Sequence, residues 1–241
     1  MNFKRLGRGL LRIGMKRVFV SATIALALIW VAPSVYQSSS ARPLSAASSK
    51  SALASFVGVS GYNLVGSDGA VYPFNVHSHG SLVGTKLNKP IVASASTPDG
   101  LGYWLVASDG GVFSFGDAGY YGSTGAMTLN KPIVGMASTP DGKGYWLVAS
   151  DGGIFSFGDA AYYGSTGAMT LNKPIVGMAS TPDGKGYWLV ASDGGIFSFG
   201  DATFYGSEGS APLNSPVIGI RSPQSGGGYW MYSAKGDVFP L

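Results

Sequence analysis

A block of forty-two residues recurs along this chain almost unchanged, and no other feature limits its fold so tightly. The phrase GYWLVASDGG begins at Gly102, Gly144 and Gly186, with worn copies at Gly61 (GYNLVGSDGA) and Gly228 (GYWMYSAKGD). A period near forty residues means stacked supersecondary units, each too small to bury its apolar faces alone. Residues 102–143 and 144–185 differ only at Val112/Ile154 and Gly119/Ala161. Such sameness marks recent duplication, so a residue shared by the middle units is weak evidence that it is needed.

Within a unit the pattern predicts four strands. PIVGMAST, GYWLVAS, GIFSF and AYYGST are separated by Pro-Asp-Gly, Asp-Gly and Gly-Asp, where turns form readily. The second strand is apolar on both faces, with Tyr145, Leu147 and Ala149 on one side and Trp146 and Val148 on the other. A sheet covered on both faces suits a propeller blade. The expected fold is all-β: a β-propeller of 42-residue, four-stranded blades, five in number, over residues 53–241. The last unit lacks a fourth strand, so residues 37–52 read as a small-residue linker or a closing strand. Pro73 and Pro240 replace the Ser at 114, 156 and 198, which predicts that their nitrogens face a sheet edge.

The charge is divided along the chain. Eight of the sixteen Lys and Arg precede Ser51 and all twelve acids follow it, so residues 51–241 carry a net −4. That balance argues against a nucleic-acid groove, which needs clustered cations on the folded body. Residues 18–36 carry no charge and follow a basic stretch, the pattern of an export signal or a retained signal anchor spanning residues 1–36. The expected location is extracellular or cell-surface, with membrane contact only through this N-terminal segment. There is no Cys, so the folded part holds together without disulfides.

The phrase GYWLVASDGGIFSFGDA followed by LNKPIVGMASTPDGKGYW resembles the tandem repeats of secreted actinobacterial β-propeller-like proteins, which are often associated with the cell envelope. The resemblance covers about residues 53–241. It implies export and propeller architecture, and it brings no catalytic residue. Asn63 in place of Trp, Val76 in place of Asp and Lys235 in place of Asp depart from the pattern.

Candidate chemistry is sparse. Ten of the eleven Asp lie in repeated turns, where a carboxylate accepts backbone N–H bonds; weak Ca²⁺ binding is the other use. No acid/base pair stands out for glycoside hydrolysis. His77 and His79 share a face if their segment is a strand, yet no third ligand accompanies them, so no metal or other cofactor is expected. Trp104, Trp146, Trp188 and Trp230 hold one equivalent position and read as packing between units. The candidate binding residues are Tyr121, Tyr163 and Tyr205, one of each adjacent aromatic pair, with Asn130, Lys131, Asn172 and Lys173 in the long connections. The favoured reading is a non-catalytic recognition module. Its partner would be cell-wall polysaccharide, peptidoglycan or an extracellular protein. A structural spacer and a glycan-active hydrolase or lyase are the alternatives.

Overall fold

The computed structural model describes residues 52–57, 61–210 and 212–241. The signal or anchor segment 1–36 and most of the 37–52 segment lie outside the described residues. Fifteen strands form five antiparallel sheets of three, each in chain order. The first sheet holds β1 (Ala52–Val57), β2 (Gly61–Gly66) and β3 (Val71–Phe74). The second holds β4 (Ile91–Ser96), β5 (Gly102–Ala107) and β6 (Val112–Gly116). The third holds β7 (Ile133–Ser138), β8 (Gly144–Ala149) and β9 (Ile154–Gly158). The fourth is β10 (Ile175–Ser180), β11 (Gly186–Ala191) and β12 (Ile196–Gly200). The fifth is β13 (Val217–Arg221), β14 (Trp230–Ser233) and β15 (Val238–Pro240). No helix occurs among the described residues.

Turn chemistry sets the hairpins. Between β5 and β6 the Asp109 carboxylate accepts the Gly111 N–H at 3.0 Å, and Asp151 and Asp193 repeat the bond at the same distance. Gly110 must be Gly twice over. Its φ is +81°, and a Cβ would stand 1.7 Å from Thr124 Oγ1. Asn75 takes the place of Gly116, Gly158 and Gly200 with φ +56°, and Asn is the side chain that tolerates this region best. Tyr229 and Leu241 exchange both backbone hydrogen bonds, so the neighbouring Pro240 falls in the non-bonded register and its nitrogen faces away from β14. Pro73 holds the corresponding register opposite Asn63 on edge strand β3.

The expected fourth strand is absent, and a seam between units replaces it. Trp146 Nε1 donates to Ala161 O at 2.7 Å, while Tyr163 N–H donates to Tyr187 Oη of the next unit at 3.1 Å. Tyr187 Oη in turn donates to Gly164 O at 2.6 Å. The backbone that would have paired with β9 therefore bonds to side chains of its own unit and the following one. The same set joins Trp104 to Tyr145 and Trp188 to Tyr229. The rings meet at centroid distances of 5.7, 5.8 and 5.5 Å, all tilted.

The core accordingly lies between sheets. One cluster joins Trp104, Val106 and Ile133 to Tyr145 and Leu147, and two more repeat it a unit further on. The first strands stand side by side in the order β1, β4, β7, β10, β13. Gly135 and Gly177 permit this approach, since a Cβ on Gly135 would meet Gly177 Cα at 3.3 Å.

Replacing Trp146 with Ala should cost about 3–5 kcal/mol, the range for deleting a large buried aromatic. Tyr145→Phe should cost about 1–3 kcal/mol, because it leaves the Gly122 carbonyl and the Tyr121 N–H without their shared partner. Urea unfolding monitored by circular dichroism measures both; a loss under 1 kcal/mol in either variant contradicts the seam.

Candidate functional site

Each unit puts an adjacent aromatic pair at the start of the connection to the next, and the two members have opposite environments. Tyr121 is half-buried: its hydroxyl donates to Gly142 O at 3.0 Å and its ring lies 5.7 Å from Tyr145. Tyr163 does the same with Gly184 O and Tyr187. Tyr205 packs on Tyr229 and keeps 40% of its surface. The preceding residues Tyr120, Tyr162 and Phe204 are 61%, 62% and 57% exposed. Of the sequence candidates, Tyr121 and Tyr163 thus serve the seam, and their neighbours present the accessible rings. Only alternation along the segment hinted at this division, and it left open which member faces out.

The remaining candidates, Asn130, Lys131, Asn172 and Lys173, are exposed. They sit where the connection returns to the next first strand, anchored by the Ile133 N–H donating to Ser108 O and Ile175 N–H donating to Ser150 O, both at 2.9 Å. In the first unit the equivalent Asn88 and Lys89 line a cleft of about 300 Å³ with Asp68 and Thr85. Exposed Met127 and Met169 lie in the same connections, and Thr85 takes the place of Met127 in the first.

A second concavity of about 180 Å³ gathers the ends of four first strands, with Ser96, Ser138, Ser180 and Ser222 at equivalent positions and Arg221 beside them. Ser138 Oγ donates to Ser96 O at 3.3 Å and Ser180 Oγ to Ser138 O at 3.4 Å, so the serines stitch neighbouring units together.

The turn carboxylates are also structural. Thr97 Oγ1 lies 2.8 Å from Asp99 Oδ1 and 3.1 Å from Asp117 Oδ1, and it accepts the Gly102 N–H at 2.9 Å. Thr139 and Thr181 bond Asp141 and Asp183 in the same way, at 3.0 Å. The Leu101 N–H holds the Asp99 carboxyl below the usual carboxylate range, with Thr97 adding to it. For Asp141 and Asp183 the main cause is the N–H of Lys143 and of Lys185. A glycosidase acid needs the opposite shift. Burial pushes the Tyr103, Tyr145, Tyr187 and Tyr229 hydroxyls up, which keeps them protonated as seam donors.

The histidines fall outside any strand. His79 takes the place of Tyr121, its ring 6.1 Å from Tyr103, and His77 is exposed. Among the described residues no three His, Cys, Asp or Glu gather as metal ligands, and no helix is long and apolar enough to cross a membrane.

A carboxyl with a depressed folded pKa stabilises the fold at pH values above its unfolded pKa, here near 3.8, and that contribution disappears as pH falls through the folded value. Stability should therefore drop as the pH is lowered below about 4. The triple variant Asp99→Asn, Asp141→Asn, Asp183→Asn should show a flatter profile in urea midpoints measured from pH 6 to pH 2.5. An unchanged slope would mean that these carboxyls do not couple to folding.

No protein-family model matches the chain, and no curated protein matches it either.

Proposed function

We propose that the chain is an exported, non-catalytic recognition module, a five-unit β-propeller that binds cell-envelope glycan or peptidoglycan through its periphery. The observation that carries this reading is the exposed ring recurring at one position of three successive units, Tyr120, Tyr162 and Phe204. Nothing in the packing requires those rings, because the adjacent Tyr121, Tyr163 and Tyr205 already contact the following unit. A flat aromatic face suits the apolar side of a sugar ring, and the exposed Asn130, Lys131, Asn172 and Lys173 add hydrogen-bond donors nearby in sequence. The propeller reading is supported by five like sheets whose first strands neighbour each other in order, four of them lining one cavity. The basic-then-apolar N-terminal segment supports export.

Repeated weak sites bind collectively when they meet a repetitive polymer. The triple variant Tyr120→Ala, Tyr162→Ala, Phe204→Ala should therefore lose about a hundredfold in retention on purified cell wall, more than any single change. Exposed positions of this kind shift stability by only about 0.5 kcal/mol, so the variant should melt as the parent does. Binding should also vary little between low and high salt, since stacking is not screened. Retention that persists in the folded triple variant would remove these rings from the site. No retention of the parent would favour a spacer, and release of reducing sugar by the parent would mark an enzyme.

A further inference from the structure

The hollow where four first strands end carries a charge that the repeat does not supply. Its rim holds Ser96, Ser138, Ser180 and Ser222, and among the described residues Arg221 is the one charged side chain lining it. The three preceding units have Ala95, Ala137 and Ala179 at the position of Arg221, all buried. Arg221 is exposed. It ends β13 directly opposite Trp230 on β14, so the two side chains leave the sheet on the same side. Trp230 is 44% exposed, whereas Trp104, Trp146 and Trp188 at the same position are buried.

This side of the fifth sheet is not a copy of the faces that meet in the seams. At Gly135 the backbone of the next first strand comes close, since a Cβ there would meet Gly177 Cα at 3.3 Å. At Gly219, the same position of the last unit, a Cβ would instead collide with the ring and hydroxyl of Tyr232. A further unit packed in the same way would need the space that the Tyr232 ring fills. Tyr232 stands where the other units have Val106, Val148 and Val190, all fully buried. It lies two residues from Trp230 and therefore on the same face. Two enlargements, Val to Tyr and Ala to Arg, thus meet beside an open indole, and Trp, Tyr and Arg are the side chains that dominate recognition surfaces.

The donors and acceptors of the hollow specify what fits it. Ser138 Oγ donates to Ser96 O, Ser180 Oγ to Ser138 O and Ser222 Oγ to Gly228 O. These three protons are committed, and the lone pairs that the hydroxyls keep can only accept. The rim therefore calls for a ligand rich in hydroxyl donors. Arg221 calls for an anion. A guanidinium has five N–H donors in a fixed fork, so whatever it bonds within the chain, donors remain for a carboxylate. The volume of about 180 Å³ is below the roughly 300–1,000 Å³ of sites that enclose a drug-sized molecule, which limits the hollow to a single ring. We propose that it binds a uronic acid residue of an anionic glycan, with the carboxylate on Arg221, the sugar hydroxyls on the serine rim and the adjoining sugar against the Trp230 indole. An acidic peptide satisfies Arg221 but brings no row of hydroxyl donors for the serines. None of Tyr120, Tyr162 and Phe204 lines the hollow, so this site is separate from the peripheral rings and stands or falls without them.

Trigalacturonate and its methyl ester, alike in shape and different in charge, are titrated into the full chain by isothermal calorimetry. The acid should bind about ten- to a hundredfold tighter than the ester, the margin of a hydrogen-bonded charge. Raising the salt from about 50 to about 500 mM should erase most of that margin, a measurement on the parent that needs no variant. Arg221→Ala restores the residue of the preceding units and should melt as the parent does, with its affinity for the acid reduced to that for the ester. Trp230→Ala should weaken both probes alike. The variant Tyr120→Ala, Tyr162→Ala, Phe204→Ala should keep the full margin, so its behaviour on cell wall leaves this site untouched. Equal binding of acid and ester by the parent, binding of neither, or a margin that survives Arg221→Ala overturns the proposal. Triglutamate bound as tightly as trigalacturonate overturns it too, and assigns the hollow to an acidic peptide.

Discussion

One hydrogen-bonded aromatic contact organises everything described above: a tryptophan of one unit against a tyrosine of the next, with the intervening backbone clamped between them. Each unit is a three-stranded meander with apolar residues on both faces and could not remain folded in water alone. The Trp–Tyr seam removes both faces from solvent at once. It also disposes of the polar backbone of the connection, which would otherwise lie unsatisfied beside a dry interface: the indole and the phenol each accept or donate where a fourth strand would have done so. Stability in such a series resides mainly in the junctions between neighbours, so a defect at one position weakens one seam and leaves the others intact.

The first junction illustrates that locality. Asn63 stands where the other units have Trp, and it is buried with Oδ1 lacking a hydrogen-bond partner among the described residues. A short amide cannot reach the carbonyl that an indole N–H reaches, and it leaves polar surface in an apolar place. His79, in place of a tyrosine, still presents a ring to Tyr103, and the Tyr103 hydroxyl still bonds Gly80 O. The tyrosine half of the contact thus persists where the tryptophan half is lost. Five repeats with one substituted seam are compatible with a common architecture because each junction is made of several separable bonds.

Much of this architecture was legible in the residues. Strand positions, turn glycines, the burial of Trp104, Trp146 and Trp188 and the outward-facing nitrogen of Pro240 follow from local rules that the repeat states several times over, whereas Trp230, expected to pack in the same way, is 44% exposed. Ala-Tyr-Tyr-Gly-Ser-Thr forms no fourth strand although it has the aromatic content of one, because β propensity reports little more than how well a side chain fits a half-buried surface. What decides its conformation is a tyrosine 24 residues further on and a tryptophan 15 residues back, neither visible to a local pattern. The same long-range bonds selected which aromatic of each pair is exposed. Sequence alternation required that one of the two face out, and only the position of the Gly142 and Gly184 carbonyls made Tyr121 and Tyr163 the inward members.

The polar residues limit the chemistry this surface can perform. A catalytic carboxyl needs a destabilised charge, and a nucleophile needs a base aimed at it. Here Asp99, Asp141 and Asp183 are instead stabilised as anions by backbone N–H donors and a threonine hydroxyl, each closing a turn that sets the start of the second strand. Duplication multiplied those turns together with the seams, and at the same stroke it multiplied whatever the seams do not use. Tyr120 and Tyr162 are such residues: copied with the block, uncommitted to the interior, and spaced by one repeat on the surface. An array of identical exposed rings on a rigid scaffold binds a periodic polymer better than any one ring does, because the cost of orienting the second and third contacts is met by the fold. Repetition of structure is therefore also repetition of surface, and a ligand that repeats is the kind such a surface can hold.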